Sequence, residues 1–435
     1  MPSFPYRPPP FLRTAAPALS HRNFRIFLGG QFVSLIGTWM QTVAHGWLVF
    51  TLTGSAFLVG LVPALGGLPI LLFTLYGGVL ADRVDKRKFI ILLQSLMLCE
   101  AVTLTVLTAT GWVTVTWVIV LAVFFGFLTA FEVPARQAFV VDLVGKRDLM
   151  NAIALNSAVF NVSRVLGPTV AGILITTVGV AAAFFANALS YLAVLVSLTR
   201  IRLPVQVAPA ASGMKTTLRE GLEHVRADPE PRALVILTAV MSIFGYPFIA
   251  MLPVFAGTAV GTGAGGYGAL VSAVGVGAAA GALVLAAVGG KVRQAKLAMD
   301  AAGLFALALA GAALVPGFVP AGVLLTVAGC AMALQSIAAN THLQRGAPDH
   351  LRGRVMGLYS FVALGLAPFG TLQAGLVSEH FGVRGSFLLG AFVVAATAAW
   401  LGRGGRVGTA GTAGTAGTAE AAEAAGTVKR AGAEG

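Results

Sequence analysis

The sequence predicts an all-α integral membrane protein in which twelve transmembrane helices form two pseudo-symmetric six-helix halves. Three observations carry that prediction. Only 10% of the residues are charged and 57% are apolar, with a mean hydropathy of +0.87, whereas about a quarter of residues are charged in an ordinary soluble domain. Of the 29 lysines and arginines, all but Arg164 and Arg384 fall at the two ends of the chain or in alternate gaps between apolar stretches. Finally, eight residues of the first half recur 203 positions later in one register.

Residues 1–26 are proline-rich, carry Arg7, Arg13, Arg22 and Arg25, and contain no apolar stretch of signal-peptide type. The first span is therefore expected to act as its own insertion signal. A helix needs about 20 apolar residues to cross the hydrocarbon, and the stretches that supply them are 27–51, 56–80, 89–110, 113–134, 151–176 and 181–199, then 233–256, 266–288, 297–315, 319–338, 355–379 and 385–402. None alternates like a barrel strand, and a backbone in lipid must satisfy its own hydrogen bonds, so all are expected to be helices.

The gap after the second span holds Arg83, Lys86, Arg87 and Lys88; the next basic gap holds Arg136, Lys146 and Arg147; the third holds Arg200, Arg202, Lys215, Arg219, Arg226 and Arg232. Lys291, Arg293 and Lys296, then Arg345, Arg352 and Arg354, and finally Arg403, Arg406, Lys429 and Arg430 complete the series. Short loops rich in Lys and Arg stay cytoplasmic, so both termini are expected inside the cell membrane. The intervening loops 52–55, 111–112, 177–180 and 316–318 leave no room for an external domain, which places any ligand site among the helices.

Residues 27–199 thus form the first half and 233–402 the second. The linker 200–232 contains Pro204, Pro209, Pro229 and Pro231 and one amphipathic stretch, Met214 to Arg226, with Leu218, Leu222 and Val225 at helical spacing. That is the pattern of a helix lying on a membrane surface. Residues 403–435, with their Gly-Thr-Ala repeat, are expected to be a disordered cytoplasmic tail. The internal repeat pairs Leu155, Ser157, Gly167, Ala171, Gly172, Gly179, Val180 and Phe184 with Leu358, Ser360, Gly370, Ala374, Gly375, Gly382, Val383 and Phe387. Repeated six-helix halves are characteristic of secondary transporters, whose substrates sit near the midplane at the repeat interface.

Other functions lack their residues. The net charge of +13 is spread along one side of a membrane and forms no basic patch with interleaved aromatics, which excludes a nucleic-acid partner and points to anionic lipid. Gly261-x-Gly263-x-x-Gly266 has no strand before it, and neither a phosphate-binding Gly-Lys-Ser/Thr loop nor a zinc-protease or serine-hydrolase motif occurs. Cys99 and Cys330 lie in different halves and suggest neither a disulfide nor a metal site. No enzyme activity, metal or cofactor is expected.

The loop from Gly77 to Lys88 reads GGVLADRVDKRK. It resembles the signature loop between helices 2 and 3 of the major facilitator superfamily, with Gly78, Leu80, Ala81, Asp82 and Arg83 matching and Asp85 replacing the second glycine. The resemblance implies an inner gate in which Gly78, Asp82, Arg83, Asp85 and Arg87 work against the start of span 11, where Arg352 and Arg354 lie. Gly78 would permit close helix approach, and Asp82 would accept hydrogen bonds at a helix N-terminus. Asn23-Phe24-Arg25, Gly37 to Gln41, Trp47 to Val49, Leu52 to Ser55, Phe131 to Val141, Asn151 to Ser157, Arg164 to Gly172 and Leu351 to Tyr359 are similar to a bacterial exporter subfamily that includes enterobactin and macrolide exporters. Gly167-Pro168-x-x-Ala171-Gly172 resembles part of the antiporter motif of exporting members, and with Arg164 it is expected to shape the interface between the halves.

Ionisable groups inside spans are expensive and are functional candidates for that reason. Glu100 in span 3 and His45 in span 1 are the candidates for carrying a coupling proton. Arg164, near the middle of span 5, must pair or face water, in a substrate-binding or gate-stabilising role. Glu132 and Arg136 flank Pro134 as a structural pair at the inner gate. Gln41, His45, Gln335 and Asn340 are the candidates for lining a cavity formed by spans 1, 4, 7 and 10. The expected function is export of a small amphipathic molecule by alternating access against inward proton flow, by a monomer whose partners are substrate, protons and lipid. An uptake carrier, a uniporter or a non-transporting sensor or scaffold are the alternatives.

Overall fold

The computed structural model describes residues 16–201, 222–223, 225–288 and 292–403. Most of the stretch Met214 to Arg226, Gly289 to Lys291, and the terminal segments 1–15 and 404–435 lie outside the described residues. A short 3-10 turn, Pro17–Ser20, leads into α1 (Arg22–Thr53), followed by α2 (Ala56–Arg83) and α3 (Lys86–Ala109). The next helical stretch, Val115–Thr177, has 63 residues. At 1.5 Å per residue a continuous helix of that length would reach roughly 95 Å, about three bilayer cores. It is broken at Gly145, whose φ of 70° and ψ of 175° are not helical, giving α4 (115–144) and α5 (146–177). Positive φ is open to glycine without the Cβ penalty. Then come α6 (Val180–Arg200), α7 (Pro229–Ala259), α8 (Ala264–Val288), α9 (Gln294–Leu314) and α10 (Phe318–Gly346). The last stretch, 349–403, is divided at Gly382 (φ 74°, ψ 159°) into α11 (349–381) and α12 (383–403).

Among the described residues nine helices are long and apolar enough to cross a membrane, two of them being the stretches divided at Gly145 and Gly382; α1 completes the set of twelve spans. An even number of spans returns the chain to the face where it started, so the start of α1 and the end of α12 share one face, called here the terminal face. The gap of residues 135–150, expected as a loop, is helix up to Gly145 and again beyond it, and α1 begins at Arg22 rather than at residue 27.

The repeat is visible in the packing. A Cβ built on Gly60 of α2 would lie 2.8 Å from Cα of Gly375 in α11, and one on Gly268 of α8 would lie 2.8 Å from Cα of Gly172 in α5. Gly172 and Gly375 are repeat partners, as are Gly179 and Gly382, the positive-φ residues that introduce α6 and α12. Two equivalent seams, α2 with α11 and α5 with α8, therefore join the halves. The spaced glycines Gly277 and Gly281 of α8 pack on Cys330 of α10 in the same chain, close contact that small residues permit between membrane helices.

The halves differ in one respect. In α7 the segments Met241–Gly245 and Phe255–Ala259 are π-helical, as is Phe361–Gly365 in α11. Pro247 and Pro368 follow the first and last of these; proline lacks the N–H donor and clashes with the preceding turn. The two loosened turns are tied together by the Ser242 hydroxyl, which donates to the Ala363 carbonyl at 2.6 Å. α1 runs through without such a break.

Candidate functional site

A cavity of about 1020 Å³ lies between the halves, lined by α1, α4, α5, α7, α8 and α10. It extends toward the terminal face, where Val141 of α4 and Leu149 of α5 border it. A second cavity of about 440 Å³ lies deeper and includes His45, Gly46, Pro63 and Tyr267. Trp39, Tyr246 and Ile249 line both and mark their junction. Spans 1, 4, 7 and 10 were expected at the cavity; α5 and α8 join them because the seam between them runs from Gly172 and Gly268 near the opposite face only as far as Arg164 and Gly275.

The wall of the larger cavity is built largely by one face of α5, on which Leu149, Ile153, Ser157, Phe160, Asn161 and Arg164 recur at helical spacing. The Arg164 guanidinium carbon is 5.8 Å from the centroid of the Trp39 ring, and Trp39 meets Phe160 edge-on at 5.6 Å. Pro168 leaves the Arg164 carbonyl without its usual helical donor, and that carbonyl faces Gly275 of α8. Gly167 packs instead against α1, at Trp39 and Ile36. The interface motif thus serves two contacts, one within its half and one across.

Arg136 lines the cavity and is held by Glu132, Nε to Oε1 at 3.0 Å, while Gln94 of α3 donates to the same oxygen at 3.1 Å. Gln335 is fully buried and accepts from the Tyr246 hydroxyl at 2.8 Å; it lines neither cavity, nor does Asn340. Gln41 also turns away. It donates to both Glu100 oxygens, at 3.0 and 3.2 Å, and accepts from Asn187 of α6, whose Oδ1 in turn accepts from Ser190 at 3.0 Å. This cluster is sealed between α1, α3 and α6, with Glu100 and Gln41 each 2% exposed. The amides expected at the cavity are held elsewhere because a buried carboxylate or hydroxyl is the partner they satisfy. His45 does border the deeper cavity; its ring lies 5.3 Å from Phe184, and Nε2 has no hydrogen-bond partner among the described residues.

The signature loop is arranged differently from the expectation. Asp82 stands in the last turn of α2 and no hydrogen bond or ion pair joins it to another described residue. Asp85 is the residue that caps a helix, accepting from the Lys88 amide at 3.1 Å at the start of α3. A Cβ on Gly78 would meet nothing within 4 Å; the close approach to α4 is made by Gly77, one residue earlier. Lys86 pairs with Asp142 at 2.9 Å. Arg87 donates to the carbonyls of Leu198 and Thr199 at 2.7 and 3.0 Å, where the negative end of the α6 dipole favours a cation. Arg87 therefore ties α3 to α6 inside one half and does not face α11. In the other half Arg293 pairs with Glu230 at the start of α7, at 2.8 Å, and His342 lies 3.5 Å from the same carboxylate. Arg352 donates to the Gln344 carbonyl at 3.0 Å.

At the opposite face the halves are joined by a contact that the sequence reading missed. Glu379, near the end of α11, accepts from the Ser55 hydroxyl at 3.1 Å and from the Phe57 amide at 3.0 Å. A carboxylate at the free amides of the α2 N-terminus is favoured by both hydrogen bonding and the helix dipole. Glu379 and Ser55 each stand beside an opposite-face loop, and that position was the available signal.

A two-half bundle with a central cavity, sealed at one face and bordered at the other by the ends of its helices, is the architecture of a carrier. The family model described as "Transmembrane secretion effector" matches residues 13–407. The chain belongs to that family. It is a branch of the major facilitator superfamily, so the protein is a multi-pass membrane transporter and not an enzyme. The staphyloferrin A transporter of Staphylococcus aureus is 23% identical over 375 residues, covering 86% of this chain and 94% of its own. The multidrug efflux pump Tap of Mycolicibacterium fortuitum is 27% identical, covering 81% and 88%. The enterobactin exporter EntS of Salmonella typhimurium is 27% identical, covering 82% and 86%. Among solved structures, a bacterial homologue of the lysosomal transporter Spinster, inward-facing and unoccupied, superposes with a TM-score of 0.72 at 16% identity, covering 88% and 96%. The nucleoside transporter NupG gives 0.71 at 14%, covering 88% and 98%; these two show the shared fold.

Proposed function

We propose that this transporter exports a small amphipathic molecule across the cytoplasmic membrane by alternating access, driven by inward flow of protons. The observation that carries the reading is the cavity between the repeated halves, sealed toward the opposite face and extending to the terminal face. The retention of basic loops on the cytoplasmic side makes the terminal face cytoplasmic, so the state described here is ready to load from inside. Two relatives are named as exporter and efflux pump, which supports the direction.

Two contacts would then alternate. Glu379 with Ser55 and Phe57 closes the outer face in this state, and Asp82, without a partner among the described residues, closes the inner face against the basic start of α11 in the other. Arg352 and Arg354 supply the charge there, and Arg83 borders the same gap. Glu132 and Arg136 hold each other at the cavity wall. Of the two proton candidates, His45 borders a cavity and has a free ring nitrogen among the described contacts, whereas Glu100 is sealed behind Gln41. We assign proton exchange to His45 and helix anchoring to Glu100.

Expression in an efflux-deficient bacterium should lower the accumulation of a fluorescent amphipathic dye. Asp82→Asn at equal protein level should restore accumulation, its export rate falling about tenfold if the inner closure contributes about 1.4 kcal/mol. A protonophore should abolish export, and indifference to it removes the coupling. Accumulation that rises with expression overturns the direction.

A further inference from the structure

Inside the larger cavity the charges do not balance. Arg136 and Arg164 are the charged residues of its lining, and no aspartate or glutamate lines it among the described residues. Arg136 is neutralised by Glu132 at 3.0 Å. Arg164 has no hydrogen bond and no carboxylate partner among the described residues; the face of Trp39 lies beside it, and Tyr246 is close enough to interact with it electrostatically. A guanidinium does not deprotonate in a protein, and an intramembrane charge persists only where it is paired or faces water. A helix-bonding role leaves its five donors idle in this state. The Tyr246 hydroxyl hydrogen is committed to Gln335, so Tyr246 offers an incoming anion no competing donor.

We propose that Arg164 is the anion-recognition point of the cavity, and that the cargo carries a carboxylate or comparably acidic group joined to an aromatic or apolar body. The guanidinium takes the acid through paired, charge-assisted hydrogen bonds. Trp39 and Phe160 beside it, with Leu35, Ile153 and Ile249 around them, take the body. A cationic amphiphile would meet an unneutralised like charge on the same wall and is selected against. The inference rests on the reading of the protein as a small-molecule carrier, and it names the class of molecule.

The test uses the full chain in lipid nanodiscs and three matched probes: 2-naphthoate, its neutral carboxamide, and the corresponding naphthylmethyl-trimethylammonium cation, titrated calorimetrically. Wild type should bind the carboxylate about tenfold more tightly than the amide and should bind the cation weakest, the size expected for a charge-assisted pair. Arg164→Gln should erase the preference, the carboxylate losing more affinity than the amide, and Arg164→Lys should keep part of it. Equal affinities in the wild type, no binding of the carboxylate up to about 10 mM, or a preference that survives Arg164→Gln overturns the proposal. Should that variant not purify as a monodisperse protein, the wild-type ratio of the three probes and the Lys variant decide. Efflux of the neutral amide from proteoliposomes reads export separately, so loss of the anion preference with efflux intact sinks this inference alone.

Discussion

Gln41 satisfies Glu100 and Asn187 at once and lines neither cavity, and three helices depend on that one amide. Replacing Gln41 by Leu removes the donors to a buried carboxyl group and leaves Asn187 without its acceptor. A buried polar group left unsatisfied costs about 1–3 kcal/mol, so Gln41→Leu should lower the thermal midpoint measured in detergent, and Glu100→Leu on top of it should recover part of the loss. A midpoint equal to wild type would show that the cluster contributes nothing. At this scale the sequence names the polar residues inside spans but not the direction they face. Arg164, Glu132 and Arg136 are legible because charge in a span has few possible partners. Gln41 and Gln335 are not, because an amide is satisfied equally by a neighbouring helix or by a cavity wall, and only the rotation of the helix decides.

Helix ends and breaks carry the next level of information. Gly145 and Gly382 divide stretches that hydropathy had already divided, though the helical signal runs almost to each glycine and no loop is left between. The π segments of α7 and α11 leave no mark in periodicity; Pro247 and Pro368 hint at them, yet Pro134 and Pro168 are accommodated in α4 and α5 without a π turn. Closure at the opposite face depends on the backbones of α2 and α11 touching at Gly60 and Gly375. Any side chain at residue 60 meets backbone 2.8 Å from its Cβ, and backbone cannot swing aside as a flexible side chain can. Gly60→Val should disfavour the closed outer face by about 1–3 kcal/mol, the range for overpacking. Spin labels at Leu52 and His380, both exposed, should show a longer distance in the variant, and an unchanged distribution would refute the clasp.

For the whole molecule, the span count, the basic face and the repeat could be read from charge and hydropathy because a bilayer allows few alternatives. The repeat register survives in three dimensions as the paired seams. The cavity could not be read in the same way, since it exists only where two halves lean apart. One consequence concerns synthesis. α1 is not among the helices apolar enough to span by composition, and it contains Gln31, Ser34, Gln41 and His45. The groups that receive Gln41, Glu100 and Asn187, emerge from the ribosome some 60 and 146 residues later. A nascent chain must therefore place its first helix in lipid before the helices that make it comfortable there exist. Fragments arrested after α2 should insert α1 less completely than fragments arrested after α6, in a glycosylation-mapping assay, and Gln41→Leu should narrow that difference. Insertion of α1 to the same extent in both fragments would mean that the first helix needs no help. If the difference is found, the six-helix half is the smallest unit the translocon can release as finished.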